Sequence, residues 1–329
     1  MASNNTTQTA MVLLKDGYDV PVYGLANGMF YYVHVPAIVC LTVSLLCGLA
    51  TIISSFWSHK PGGFYTRWKK GERLVIYMSI CDMLFNTSHV MDHLQILITK
   101  THVRPKELCT LYGFIMTVFV VAQILMVNVV AINVFAMMFF NINISFGKFD
   151  GGLLLWAFGV PFVGALIAAM LNQFGPMGVG CIFDAVNGQI ANLVLTTIPM
   201  PTIMAINVLL YILTFIKIRT DVRAMKQSLG NMASTAGGHI RAARKMSMFL
   251  VAFFVQWFCF ALFGAWSMFV DNPADIPEIL NFIGVIFTNL GGVMNLIVYL
   301  LVFKKKRPRA KTDMTTNKAP RVLRPASAP

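Results

Sequence analysis

Three histidines and an aspartate in the first third of the chain have the residue types and spacing of a metal site. His89 and His93 are four residues apart, which places both imidazoles on one face of a helix. With His34 or Asp92 as a third ligand, the pair could hold a zinc ion that activates water. The same residues also fit a second interpretation, in which they line a wet cavity near one end of a helical bundle. The spacing alone does not separate the two interpretations.

An aromatic stripe in a later segment could form a wall of the same cavity. Trp257, Phe260, Phe263 and Trp266 recur at helical spacing. Such a stripe is also typical of helix packing or lipid contact. If the stripe does face the cavity, Trp257 joins the histidines and the aspartate there. The candidate ligand pocket then consists of His34, His89, Asp92, His93 and Trp257.

Asp82 is an acidic residue in an otherwise apolar part of its segment, seven residues before His89. An ionisable group at membrane depth is costly and needs hydrogen-bonding partners. The cluster could rearrange, or bind a small cation, when the bundle changes state; the alternative is a fixed packing cluster. The candidate members of this polar core are Asp82, Gln123, Asn128, Asn289, Asn295 and Tyr299.

No residue pattern in the chain indicates a bound cofactor. A retinal Schiff base needs a lysine within the last apolar segment, and that segment has none before Lys304. We predict that the chain has no cofactor and is not an enzyme, with a zinc-dependent membrane hydrolase as the alternative.

Seven apolar segments must position these residues. Each is close to the ~20 residues that a helix needs to cross a bilayer. Of the 329 residues, 57% are hydrophobic and 12% are charged, which predicts an all-α integral membrane bundle of seven helices. The predicted spans are 31–57, 74–98, 108–140, 153–171, 190–216, 246–270 and 279–303.

Helix-breaking residues inside the segments predict where the spans deviate from straight helices. Pro161 should bend span four, and Pro199 and Pro201 should bend span five. Gly291 and Gly292 in span seven allow either a local bend or close helix packing.

Positive charge is distributed unevenly between the loops. One set of loops holds only Lys15, Lys100, Arg104 and Lys106, and the other holds the remaining 22 of the 26 lysines and arginines. Basic loops stay cytoplasmic, so we predict an outer N-terminus, an inner C-terminus and a multi-pass protein of the plasma membrane. The net charge of +13 lies on one membrane face, which favours anionic inner-leaflet lipids over nucleic acid as a partner.

The predicted topology divides the chain into three parts. Residues 1–30 form a short extracellular tail with glycosylation sequons at Asn4 and Asn5. Residues 31–303 form the membrane domain, and 304–329 a basic, disordered cytoplasmic tail. Only Cys109 and Cys181 lie on the oxidising outer side, and each therefore has one possible disulfide partner.

The arrangement resembles a G-protein-coupled receptor, with seven spans and an outer cysteine pair between span three and the following outer loop. It is most similar to the slime-mould cyclic-AMP receptors and their cyclic-AMP-receptor-like orphan relatives in animals. The likeness extends from about residue 70 to 303. The motifs that carry it are Ser79-x-x-Asp82, Ala131-Ile132-Asn133, Trp156 with Gly159-Val160-Pro161, and Gly291-Gly292-Val293-Met294-Asn295 followed by Tyr299.

The chain departs from the rhodopsin-like receptors at their signature positions. Asn133-Val134-Phe135 stands where those receptors carry an acidic-Arg-aromatic triplet, and Asn295 is followed by Leu296 rather than proline. Span six has no proline. The usual inner ionic lock is therefore absent. Either other groups form such a lock, or the receptor is constitutively active.

The resemblance implies a small extracellular ligand and a heterotrimeric G protein as partners. The G protein is expected where the inner ends of spans three, five and six meet, although the basic residues there would also suit anionic lipid. Cyclic AMP is the best-known ligand of the family, but the bundle contains no compact basic cluster for a phosphate. The candidate G-protein contacts are Asn133, Arg219, Arg223, Arg241, Arg244 and Lys245.

Overall fold

The computed structural model describes residues 14–58, 63–227, 247–248, 250–262, 266 and 277–303. Over these residues the chain is almost entirely helical. The helices are α1 (Phe30–Ser58), α2 (Phe64–Arg67), α3 (Lys70–Thr99), α4 (Lys106–Phe139), α5 (Gly151–Leu154), α6 (Val160–Met170), α7 (Gln189–Asn192), α8 (Pro199–Gln227), α9 (Leu250–Leu262), α10 (Glu278–Thr288) and α11 (Gly291–Val298).

The described helices account for six of the seven predicted spans and for part of span six. Five stretches are long and apolar enough to cross a bilayer, and α10 with α11 forms a sixth, bent span. The shorter apolar helix α9 takes the place of span six. We number the spans one to seven as α1, α3, α4, α5–α6, α7–α8, α9 and α10–α11. The predicted all-α membrane bundle is confirmed.

Span three is the central helix of the bundle. In its most apolar stretch 72% of the residues are buried inside the protein, against 28% for span one. Span three packs against spans two, four and five and against the loop that follows span four. We call the side of the bundle that holds this loop the outer side, as in the predicted topology, and the opposite side the inner side. A helix that is apolar on all sides suits this position, because most of its surface contacts protein.

Two of the three predicted prolines follow irregular helix, whereas Pro201 lies within α8. A π-helical segment, Leu155–Gly159, precedes Pro161, and a second, Leu193–Thr197, precedes Pro199. Proline lacks the N–H that would close a regular turn, so the preceding turn widens instead.

Span seven contains the sharpest bend, 47° between α10 and α11. The two helices meet at Asn289 and Leu290, directly before Gly291 and Gly292. The glycine pair also permits close packing, since a β-carbon at Gly292 would lie 2.0 Å from the Ser44 carbonyl oxygen of span one. The local bend and the close helix packing, which the sequence offered as alternatives for Gly291 and Gly292, therefore occur together.

Span five is longer than predicted. Helix α8 continues to Gln227, whereas the apolar pattern ends at residue 216. No glycine or proline interrupts the chain between residues 202 and 229, so nothing terminates the helix at the membrane edge. Lys217 and Asp221 form an i,i+4 ion pair of 2.9 Å on this extension. Arg219 and Arg223, expected in a loop, lie on a helix.

Candidate functional site

Three imidazoles form a hydrogen-bonded chain near the outer ends of spans one and two. His34 Nδ1 lies 2.7 Å from His93 Nδ1, and His93 Nε2 lies 3.0 Å from His89 Nε2. His34 and His93 are buried, and His89 is part-buried. The helical spacing places His89 and His93 together, while the contact with His34 joins span one to span two.

The histidine chain has a definite direction when all three rings are neutral. Each ring then has one N–H and one acceptor nitrogen, so the two hydrogen bonds must run the same way along the chain. The two terminal atoms, His34 Nε2 and His89 Nδ1, are buried, and no described residue meets hydrogen-bond geometry with either, although the Asn289 side chain lies beside His89. One terminal atom is therefore a donor and the other an acceptor.

The structure does not favour the zinc interpretation. Both nitrogens of His93 face other imidazoles, so the three rings form a chain rather than converging on one point. Among the described residues, no group of three or more histidine, cysteine or acidic side chains has the arrangement of a metal site.

Asp92 connects span two to the outer loop between spans four and five. Its side chain is fully buried, and Oδ2 accepts the Cys181 N–H at 2.9 Å. Oδ1 has no partner within the described part of the chain. Gly180 is needed for this approach, because a β-carbon there would lie 2.5 Å from Oδ2.

A cavity of about 160 Å³ lies between these residues and span six. His89, Asp92 and His93 line one wall, and Trp257 and Phe260 line another. Four of the five predicted pocket residues therefore share one cavity. The fifth, His34, is not in its lining and lies behind His93.

A β-hairpin covers the outer side of the cavity. Strands β1 (Phe174–Pro176) and β2 (Cys181–Phe183) pair antiparallel, with Pro176 opposite Cys181. The predicted disulfide between Cys109 and Cys181 is present and ties β2 to the start of span three. Met177, Val179, Gly180 and Ile182 of this hairpin line the cavity.

A segment before span one packs on the hairpin, and we call residues 14–29 the strap. The Gly17 N–H donates to Asp184 Oδ2 at 2.8 Å, and the Tyr23 N–H donates to the Gly178 carbonyl at 3.0 Å. The Tyr18 hydroxyl donates to the Val103 carbonyl at 3.0 Å. Burial raises the pKa of Tyr18 to about 12, so its O–H stays protonated at neutral pH.

Two outer basic residues, Arg104 and Lys106, contact the strap and do not line the cavity. Lys106 pairs with Asp16 at 2.6 Å, and this hydrogen bond lowers the pKa of the Asp16 carboxyl. The Arg104 guanidinium and the Lys106 ammonium both lie over the Tyr18 ring, 4.6 and 4.7 Å from its centroid.

Asp82 forms a buried polar core deeper in the bundle. Gln123 Nε2 of span three donates to Oδ1 at 2.7 Å, and Asn295 Nδ2 of span seven donates to Oδ2. A β-carbon at Gly291 would lie 2.2 Å from Asp82 Oδ1 and 2.5 Å from Gln256 Nε2. Spans two, three, six and seven therefore meet around one carboxylate.

Three predicted members of this core lie elsewhere. Asn128 Nδ2 donates to Asn207 Oδ1 at 2.9 Å, because that face of span three is turned toward span five. Asn289 is buried in the cavity wall. Tyr299 lies near the inner end of span seven and donates its hydroxyl to the Ser54 carbonyl of span one at 2.9 Å.

Sequence reasoning missed two polar contacts near the core. Gln256 Nε2 of span six donates to the Thr288 carbonyl at 3.3 Å and lies close to Gly291. Ser44 Oγ accepts from Asn86 Nδ2 and from the Gly292 N–H, at 2.9 and 2.8 Å. Both involve uncharged side chains, which a search for charges at membrane depth passes over.

The inner side contains a buried ion pair that the sequence did not reveal. The Arg73 guanidinium donates to both carboxylate oxygens of Asp150, at 2.6 and 2.8 Å, and the Tyr77 hydroxyl donates to the same carboxylate at 3.0 Å. Asp150 ends a short 3-10 turn, Lys148–Asp150, between spans three and four. The pair fixes this inner loop to span two.

Asn133 helps to hold the same loop. Its Oδ1 accepts the Ile144 N–H at 2.9 Å, and its side chain is buried. A direct G-protein contact requires an exposed side chain, so the burial of Asn133 disfavours it as a docking residue. Its hydrogen bond stabilises the loop between spans three and four instead.

The remaining candidate contacts divide into two groups. Arg219 and Arg223 are exposed on the inner extension of span five, and the Arg219 guanidinium lies over the Phe215 ring. Arg241, Arg244 and Lys245 lie outside the described residues, as do the sequon residues Asn4 and Asn5 and the tail 304–329.

Comparison with known proteins supports the fold. No family model matches the sequence, and no curated protein matches it. Among solved structures, the chain is similar to the crystal structure of squid rhodopsin, with a TM-score of 0.65 and 14% sequence identity over 84% of this chain and 82% of that chain. The chain therefore has a rhodopsin-like seven-helix fold.

Proposed function

We propose that this chain is a non-enzymatic receptor of the plasma membrane that transmits the binding of a small extracellular ligand to heterotrimeric G proteins. The proposal places the N-terminus and the hairpin outside, in keeping with the distribution of basic residues. The rhodopsin-like fold is compatible with this role but is shared by proteins of different function.

The connection between the cavity and the buried polar core is the observation that carries the proposal. Trp257 lines the cavity, and its neighbour Gln256 lies beside Gly291, which contacts Asp82. A ligand that moves the Trp257 ring therefore displaces a helix that also borders the Asp82 core. Spans six and seven meet at both places, so a ligand at one end can bias their arrangement at the other.

The coupling works through differential affinity. A ligand in the outer cavity and a G protein on the inner face stabilise the same conformation, so each increases the affinity for the other. The Asp82 core is the two-state element in this scheme, with hydrogen-bond donors from spans three and seven that can exchange partners.

The inner basic residues provide the docking surface in this proposal. Arg219 and Arg223 extend beyond the membrane on span five, and Arg241, Arg244 and Lys245 precede span six in sequence. Their charge suits an acidic helix of a G protein. Anionic inner-leaflet lipids are a second partner for the same charges and for Lys304, Lys305 and Lys306.

We also propose that this chain is related to the cyclic-AMP-receptor-like receptors. This proposed relationship rests on sequence motifs. The buried Asn133, the π-helical turn before Pro161 and the close packing at Gly292 give those motifs structural roles. This relationship does not predict which ligand the chain binds, because ligand choice depends on the residues of the cavity.

A cell-based screen tests the proposed function. The receptor is expressed with a set of G-protein activation sensors that covers the main Gα classes, with and without candidate ligands. We expect basal or ligand-induced activation of at least one class, and a changed response for Asp82→Asn at equal surface density. The Lys15→Gln variant, altered in the outer strap, serves as the control. Activation of no class by the wild type would overturn the proposal.

A further inference from the structure

We propose that the outer cavity binds a small organic cation, a protonated amine on an apolar body about the size of one aromatic ring. This inference rests on the proposed function and names the ligand class of its site. It is carried by one buried carboxylate, the apolar walls around it and the cavity volume.

The buried carboxylate of Asp92 has no counter-charge among the described residues. Within that part of the chain, no lysine or arginine lines the cavity and none forms an ion pair with Asp92. Its Oδ2 accepts one backbone N–H, while Oδ1 has no partner in the described part of the chain. A buried carboxylate is stabilised by a paired, hydrogen-bonding cation, which a ligand ammonium group would supply.

His89 offers a second acceptor on the same wall. It precedes Asp92 by three residues, so the two side chains are neighbours on one helix face. An ammonium donor at His89 Nδ1 would make that atom the acceptor end of the histidine chain. The hydrogen bonds would then run from His89 through His93 to His34, and ligand binding would set the direction of a network that joins spans one and two.

The rest of the cavity suits an apolar, aromatic ligand body. Phe85, Trp257 and Phe260 line it together with Met116 and Val120. Aromatic faces attract organic cations as well as apolar rings. The volume of about 160 Å³ is close to that of an engineered protein cavity, ~150 Å³, that binds benzene.

The same features disfavour an anionic nucleotide such as cyclic AMP. A phosphate would enter beside the Asp92 carboxylate, and no lysine or arginine among the described lining residues compensates its charge. Two of the outer cations, Arg104 and Lys106, contact the strap residue Tyr18 and do not line the cavity. A purine nucleotide is also much larger than a single ring.

A matched series of probes tests this inference on the purified, full-length receptor in lipid nanodiscs. The probes are 2-phenylethylamine, its neutral analogue 2-phenylethanol, its anionic analogue phenylacetate, and cyclic AMP. Binding is measured directly by calorimetry or ligand-observed NMR. Because hydrogen bonds to charged groups contribute about 1.5–3 kcal/mol, the amine should bind at least about tenfold more tightly than the alcohol. Phenylacetate and cyclic AMP should bind more weakly than the alcohol.

Two substitutions locate the charge selectivity. Asp92→Asn keeps an oxygen that can accept the Cys181 N–H but removes the charge, so the amine should lose about tenfold in affinity while the alcohol changes less than about twofold. Asp16→Asn removes an outer carboxylate that lies in the strap, and both affinities should stay within about twofold. If Asp92→Asn does not fold, the relative affinities of the four probes for the wild-type receptor still test the proposed amine selectivity.

The outcomes separate this inference from the proposed function. Equal binding of amine and alcohol, binding of neither, tighter binding of an anion, or equal losses of both ligands in Asp92→Asn would overturn the amine site. G-protein activation without amine selectivity would overturn the ligand class alone. Amine selectivity at Asp92 without activation of any G protein would support the site and overturn the proposed function.

Discussion

Gly291 of span seven lies directly against the carboxylate of Asp82 in span two. A β-carbon at residue 291 would approach Asp82 Oδ1 to 2.2 Å, well inside van der Waals contact. Alanine at this position should therefore displace both the carboxylate and the adjacent Gln256 amide. Overpacking of this kind costs about 1–3 kcal/mol. We expect Gly291→Ala to lower the melting temperature of the purified receptor.

Gly151→Ala is the control for this prediction, since a β-carbon at Gly151 meets open space. It should leave the melting temperature unchanged or raise it slightly, because alanine is the better helix former. Equal effects of the two substitutions would show that the contact at Gly291 is not close.

The Asp82 core makes a prediction about coupling between side chains. Gln123 donates to Asp82, whereas Asn128, in the same span, donates to Asn207. A double-mutant cycle of Asp82→Asn with Gln123→Ala should show an interaction energy of about 0.5–3 kcal/mol. The cycle with Asn128→Ala should be additive. Thermal unfolding in nanodiscs measures both, and coupling of Asp82 to Asn128 alone would contradict the arrangement.

The same aspartate makes a prediction about signalling. Asp82→Asn keeps the size of the side chain and one of its two hydrogen-bond acceptors but removes its charge, so G-protein activation should change more than surface expression does. Activation is compared at equal surface density. A wild-type response would leave Asp82 as a packing residue.

The outer disulfide predicts a non-additive pair of substitutions. Cys109→Ser and Cys181→Ser each remove the same bond, which ties the hairpin over the cavity. Each should reduce surface expression, and the double variant should be no worse than either single variant. Flow cytometry of intact cells provides the measurement. Clearly additive losses would show that the two cysteines act separately.

The inner ion pair predicts a large loss of stability. Removing one partner of a buried pair destabilises by about 3–5 kcal/mol, because the other charge is left without compensation. Asp150→Asn should therefore unfold at a lower temperature, with Arg73 left beside Tyr77 and an amide. Asp221→Asn breaks the more exposed pair with Lys217 and should cost less than about 1 kcal/mol. Similar losses for both variants would contradict this assignment.

The sequence predicted structural features that depend on neighbouring residues, or for which only a few residue pairings exist. Apolar length predicted the spans, and proline position predicted two of the three π-helical segments that the described residues contain. Two outer cysteines left one pairing. Gln123 and Asn295 were also predicted as partners of Asp82. Asn128 was not distinguishable from Gln123, because the direction of each side chain depends on how span three is rotated in the bundle.

Two other contacts between distant polar residues could not be predicted. Arg73 and Asp150 are 77 residues apart, and each lies in an inner segment where charge is ordinary. The contact of His34 with His93 depends on how closely spans one and two pack. Span five continued past its apolar pattern because charged helix remains stable in water when nothing interrupts it.

The most direct test of the account is guanine-nucleotide exchange on purified G proteins by the receptor reconstituted in nanodiscs. The wild type should accelerate exchange on at least one Gα class, either unliganded or with a small amine. Neutralising Arg241, Arg244 and Lys245 together should abolish that activity, whereas neutralising Lys304, Lys305 and Lys306 should preserve it in the reconstituted system. A wild-type receptor that is folded but accelerates exchange on no Gα class under either condition would contradict the account.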